Sequence, residues 1–189
     1  SFDVNAGTRS ATDIDSGGHG TLVAGVIAAR KDSKGIHGIA FESDILAIRA
    51  DRPGSCQEDG EDEGCRFRDG DLVRAIDQAV AMGAKVINMS LGGEIDSDPS
   101  LENAVRRAAA AGVLVVISAG NEAEPAGPNP DNPSTVDGAK GTQPSEPAYI
   151  AGQANSFGRV VAVGSIDTAG KISDFSNRAG SAAQDFYIL

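Results

Sequence analysis

The 189-residue chain has no tryptophan, only two cysteines and two histidines, and no uninterrupted apolar run beyond about five or six residues. A membrane-spanning helix needs roughly 20 apolar residues in succession, so no membrane segment is expected. Positive charge is scarce: 16 Lys and Arg stand against 27 Asp and Glu, giving a net charge of -11. Such a field repels phosphate backbones and anionic lipid surfaces, so nucleic acid is not an expected partner. The polar opening Ser1 to Ser10 lacks the features of a signal peptide, although a secreted protein could present this sequence as its processed part. No internal repeat is evident. An apolar share of 40% with 23% charged residues suits one globular domain with a real core and argues against disorder.

The two cysteines, Cys56 and Cys65, bracket the acidic segment from Gln57 to Gly64, which has no apolar residue to hold its shape. A disulfide would tie off that loop and contribute about 2 to 3 kcal/mol by constraining the unfolded chain. It would also imply an oxidising compartment. Two reduced thiols in a cytosolic protein are the alternative, and two cysteines do not decide between them. The carboxylates of the loop suit a hard cation such as calcium, but their order does not match the EF-hand pattern, and a solvated charge run accounts for them.

Apolar strand-like runs alternate with helix-like stretches. Asp44 to Ala50, Lys85 to Ser90, Val113 to Ala119 and Val160 to Ile166 read as strands, and Asp69 to Met82 and Pro99 to Ala111 as helices. This alternation predicts an α/β fold, a mostly parallel sheet flanked by helices, with both helices as crossovers between parallel strands. Gly83 and Gly112 stand where C-terminal caps are expected, and Pro99 suits a first helical turn. Gly127 to Pro147 holds five of the eight prolines. It reads as a long irregular excursion, of the kind often built near a site. Strands of a parallel sheet deliver their side chains to a crevice at their carboxyl ends. The two glycine-rich strand exits, Ser90-Leu91-Gly92-Gly93 and Ser118-Ala119-Gly120-Asn121, are therefore expected on one edge of the sheet.

Three segments carry chemistry. Gly18-His19-Gly20-Thr21 runs directly into the small-residue helix signal Leu22 to Ala29 and puts a titratable imidazole at a helix start. Asn88-Met89-Ser90-Leu91-Gly92-Gly93 ends one apolar strand. A third segment, Ser118-Ala119-Gly120-Asn121-Glu122, places a side-chain amide at the exit of another. Together, in this order and at this spacing, they resemble the subtilisin-like serine peptidases, the subtilase family, from about Asp15 to the last residue. The resemblance implies a three-layer, subtilisin-like α/β fold and hydrolysis of peptide bonds by a Ser-His-Asp triad. It implies His19 as the general base and Asn121 as donor to the oxyanion of the tetrahedral intermediate. Ser90, Leu91, Gly92 and Gly93 resemble the strand that pairs with the substrate backbone, where glycines let another chain approach closely. Ser118, Ala119 and Gly120 resemble the opposite wall of the primary pocket, where small residues leave room for a sizeable side chain.

The implied partner is a polypeptide in extended conformation. No cofactor is required for the chemistry, and a structural calcium is compatible with the family at no assigned site. With the Cys56–Cys65 pair, the resemblance implies a secreted, periplasmic or extracellular protein. His37, before a strand and without a partner motif, reads as structural or exposed.

The sequence also departs from the family pattern. The family's aspartate closes an apolar strand upstream of the histidine, and its nucleophile sits in a Gly-Thr-Ser-x-Ala-x-Pro segment; neither is found here. Asp15 precedes His19 by only four residues and follows no apolar strand, and Asp13 fails on the same ground. The expectation is that residues 1–189 form the central portion of the catalytic domain, incomplete at both ends and inactive alone. The absent aspartate strand should leave an apolar slot for another segment or molecule. Two rivals are a peptide-binding pseudopeptidase that has lost its triad and, more remotely, a nucleotide-binding α/β domain. Against the latter, no Gly-x-Gly-x-x-Gly or phosphate-loop lysine motif follows any strand.

Overall fold

Strands and helices follow one another in the order that the hydrophobic patterns predict. The computed structural model describes residues 1–7, 18–53, 55, 65–93, 99–123, 127–128, 136–137, 141–145, 147–153 and 156–189. They fall into two compact units, Ser1–Gly83 and Ala84–Leu189.

In the first unit, strand β1 (Phe2–Asp3) pairs in parallel with β2 (Ile48–Arg49). A charged staple holds the pair. Arg49 donates from Nε to Asp51 at 2.7 Å and lies 3.4 Å from Asp3, whose other oxygen accepts the backbone N–H groups of Asn5 and Ala6. Asp3 and Asp51 are both buried, and buried carboxylates are tolerated only when they are supplied with donors in this way. The hydrogen bond to Asp51, with help from the charges of Asp51 and Asp3, raises the Arg49 pKa above its ordinary value against the opposing effect of burial. The strand expected over Asp44 to Ala50 narrows to two residues. A ladder extends only as far as its partner, and β1 is itself two residues long.

Helix α1 (His19–Ala28) starts at Gly18, whose φ of 63° lies in the left-handed region. Helix α2 (Asp69–Ala81) buries Leu72, Ile76 and Ala79, which share one face at helical spacing. Asp69 and Asp71 in its first turn complement the positive end of the helix dipole. Gly83, at φ 84°, follows the helix as expected.

The second unit is built on a four-stranded sheet in the order β3, β4, β7, β8, and every neighbouring pair is parallel. Its strands are β3 (Val86–Met89), β4 (Leu114–Ser118), β7 (Val160–Val163) and β8 (Tyr187–Ile188). Helix α3 (Ser100–Ala110) crosses from β3 to β4 and buries Leu101, Ala104, Val105, Ala108 and Ala109. Gly112, at φ 87°, turns the chain into β4. Val105, Val115, Ile117, Ile150 and Val160 are fully buried, each burial stabilising by about 1.5 to 3 kcal/mol.

The expectation for α3 as a crossover between parallel strands of one sheet agrees with this topology. Helix α2 runs from β2 in the first unit to β3 in the second; among the described residues β2 pairs only with β1 and β3 only with β4. Strand β7 stops at Val163, short of the expected Ile166, which instead bridges Ile172 across a turn capped by Asp167. Within the excursion from Gly127 to Pro147, β5 (Gly127–Pro128) pairs antiparallel with β6 (Val136–Asp137). A 3-10 turn follows at Ala148–Gly152, then α4 (Gly180–Ala183) ahead of β8.

Candidate active site

His19 is the first residue of α1 and is exposed, so its imidazole is presented by a helix end and not by a mobile loop. The far end of the helix is tied down by a returning segment. The N–H groups of Gly38, Ile39 and Ala40 donate to the carbonyls of Ala29, Val26 and Ile27 at 2.8, 3.0 and 2.8 Å, which satisfies acceptors that a helix end leaves open. Gly38 is buried, and a Cβ there would collide with the backbone of Ile27 and Ala28, so only glycine permits this approach. His37 is exposed and meets the Phe41 ring edge-on at 6.1 Å between centroids, in keeping with a structural or exposed residue.

The other candidate residues lie in the second unit, and there two expected strand exits come together. Parallel pairing sets Met89 opposite Ile117, so the chain leaves β3 and β4 at the same end of the sheet. Ser118 Oγ donates to the Leu91 carbonyl at 2.8 Å and ties the exits to each other. Ser90, Gly92 and Gly93 are exposed, Leu91 is half-buried, and Asn88 donates from its side chain to Ser90 Oγ at 3.0 Å.

Past Ser118 the chain is held from several sides. Ala119 is buried, its N–H bonded to the Val163 carbonyl and its carbonyl to Ser145 N–H, both at 2.8 Å, so it offers no side-chain surface. Gly120 has φ 105°, and a Cβ there would stand 2.6 Å from both Asn177 Nδ2 and Ser145 Oγ. Asn121 and Glu122 follow, both exposed. Gly141 and Ser145, from the end of the proline-rich excursion, pack against this turn.

Sequence patterns missed Asn177, a buried residue that bonds to both Gly120 and Glu122. It has no periodic neighbours, and its partner Glu122 is 55 positions away, so only the tertiary structure reveals it. Cys65 is not a free thiol, whereas Cys56, the acidic segment between them, Asp13 and Asp15 lie outside the described residues. Among the described residues no group of three or more His, Cys, Asp or Glu could hold a metal ion, and no helix is long and apolar enough to cross a membrane.

The sequence matches the subtilase family over residues 3–186. It is 36% identical over 180 residues to the major intracellular serine protease of Bacillus subtilis (strain 168), covering 90% of this chain and 47% of that protein. It is 40% identical over 109 residues to the minor extracellular protease Epr of the same organism, covering 57% of this chain and 15% of that protein. Among solved structures, the protease domain of PatA superposes with a TM-score of 0.66 at 28% identity, over 96% of this chain and 55% of that one. The chain thus spans about half the length of the major intracellular protease and of the PatA domain.

Proposed function

Because the chain belongs to the subtilase family, we propose that it carries the base, the oxyanion donor and the peptide-binding edge of a serine endopeptidase of the subtilisin type. His19 takes the proton from the attacking serine hydroxyl and returns it to the leaving amine. Asn121 donates its amide hydrogen to the oxyanion, a role that suits a neutral donor held on a fixed turn. An extended polypeptide lies along Ser90 to Gly93 as an added strand, and Ser118 and Gly120 line the opposite wall of the pocket for one of its side chains, with the buried Ala119 fixing the chain between them. The observation that carries this reading is the Ser118–Leu91 hydrogen bond, which joins the two strand exits at one end of a parallel sheet with Asn121 exposed beside them.

The nucleophile and the triad aspartate are not among the residues proposed here. No serine of the chain stands in a Gly-Thr-Ser-x-Ala-x-Pro context, so the 189 residues alone are proposed to be inactive, with the remaining groups supplied by a longer protein or another molecule. Two features support a complement of that kind. Among the described residues β3 pairs only with β4, so its other edge can accept a strand, and α1 has no buried residue. No cofactor is needed for acyl transfer by this route, and no calcium site is assigned.

The compartment follows from the cysteines in the same reading. A Cys56–Cys65 disulfide would persist outside the reducing cytosol; the relative Epr is by name extracellular, whereas the other B. subtilis relative is by name intracellular. Non-reducing peptide mapping of natively produced protein is expected to recover these two cysteines as one linked pair; free thiols at both would remove the argument for secretion.

The functional test has two arms. The purified chain should neither cleave casein nor take up a fluorophosphonate label, and labelling at any serine would contradict its inactivity. A longer product of the same reading frame should hydrolyse casein and lose that activity in His19→Ala. Tight peptide binding without hydrolysis would instead favour the pseudopeptidase.

A further inference from the structure

We infer that Asn177 is a positioning residue, a buried carboxamide that fixes the direction in which Asn121 presents its side chain. The inference rests on the oxyanion role proposed above for Asn121.

Asn177 is 3% exposed, and its bonds converge on the turn after β4. Its backbone N–H donates to the Gly120 carbonyl at 3.0 Å. Its Oδ1 accepts the Glu122 backbone N–H at 3.0 Å, and its Nδ2 donates to Glu122 Oε2 at 2.7 Å. The Gly120 carbonyl belongs to the peptide plane that enters Asn121, and the Glu122 N–H to the plane that leaves it. Peptide planes are rigid, so fixing both sets φ and ψ of the residue between them, and with these the direction of its Cα–Cβ bond. One residue therefore grips Asn121 from both sides.

Asn177 is itself anchored. Its carbonyl accepts the Tyr187 hydroxyl at 2.5 Å, which links the grip to β8, the last strand of the sheet. The next residue, Arg178, donates its N–H to the Gly141 carbonyl at 2.7 Å. Around the grip, Gly120 and Gly141 have no room for a Cβ: one at Gly141 would strike Asn177 Oδ1 and stand 2.5 Å from the Ala123 Cα.

The chemistry is specific to a short primary amide. The site needs an acceptor for an N–H and a donor to a carboxylate from the same side chain, with one carbon between amide and backbone. Aspartate supplies the acceptor but faces Glu122 with a second negative charge, serine is too short to reach both partners, and glutamine is longer by a methylene.

This logic allows a swap. Asn177→Asp keeps the acceptor for Glu122 N–H and loses the donor. Adding Glu122→Gln restores a donor–acceptor pair in the reverse direction. In the 189-residue chain, labelled with nitrogen-15, Asn177→Asp is expected to move the Asn121 side-chain amide resonances and to speed exchange of the Glu122 backbone amide about tenfold, equivalent to roughly 1.4 kcal/mol of local opening. Val115 and Ile117 amides in β4 should keep their protection, and the double swap should return both signals toward the wild type.

Unchanged Asn121 and Glu122 signals in Asn177→Asp would overturn the proposal. So would a loss of protection that spreads through β4 and is not recovered by the double swap, since Asn177 would then serve the core and not the turn. In a longer, active product the same substitution should lower kcat by about 10- to 100-fold with KM within about twofold, and the swap should recover it. A longer product without peptidase activity, alongside the expected resonance changes, would sink the peptidase reading while leaving the grip on Asn121 established.

Discussion

Helices α1 and α3 draw on much the same small and aliphatic residues and end in opposite states. Five residues of α3 are buried, and none of α1 is, although α1 carries Leu22, Val23, Val26 and Ile27 and no Asp, Glu, Lys or Arg. Leu22 is 65% exposed and Leu101 is 3% exposed. Helix α3 presents a stripe of alanines and a valine that lets the sheet approach closely, and it keeps Glu102, Arg106 and Arg107 outside the buried stripe. Helix α1 is apolar around much of its circumference, the pattern of a helix meant to be enclosed. The difference shows that composition sets what a helix can bury, while its neighbours decide what it does bury. Leu22 and Val26, with Ile36 and Ile39 nearby in sequence, form surface that the described residues leave uncovered.

The same substitution in the two helices breaks or sharpens this comparison. Leu101→Ala is expected to cost about 3 kcal/mol, from lost burial and the cavity left behind, read as lowered protection of β4 amides or a lower urea midpoint for the second unit. A cost below about 1 kcal/mol would mean that α3 does not seal this core. Tyr187→Phe comes next, at about 1 kcal/mol, since it removes only the hydroxyl donated to the Asn177 carbonyl. Its effect should fall on the exchange of residues around Asn177 and β8 and leave α1 untouched. The smallest change is expected for Leu22→Ala, within about 0.5 kcal/mol in this chain, because the side chain is already in water. In a longer product that encloses α1, Leu22→Ala should cost about 2 to 5 kcal/mol, and an equal, small effect in both contexts would show that nothing covers the helix.

Much of this arrangement was legible in the letters. Apolar periodicity with a glycine past each end predicts α2 and α3 to within a residue or two, because both signals are local. Short apolar runs predict β3 and β4, and parallel pairing then brings Ser90 and Ser118 to one end of the sheet. Strand length is less legible. The run from Asp44 to Ala50 looks uniform, yet pairing, which depends on a segment more than 40 residues away, selects only Ile48 and Arg49. Least legible is the grip on Asn121: a polar loop residue acquires its role only when Gly120, Glu122 and Tyr187 have been folded around it.

The claim most open to direct test is that the second unit holds a polypeptide-binding edge, with the Asn121 carboxamide beside the strand exit Ser90 to Gly93. Titrating the nitrogen-15-labelled chain with a short capped peptide, acetyl-Ala-Ala-Leu-Phe-amide, tests it. The Asn121 side-chain resonances and the backbone amides of Gly92 and Gly93 are expected to move along one saturation curve. Movement at only one of these two places, or at neither while the peptide binds elsewhere, would contradict it.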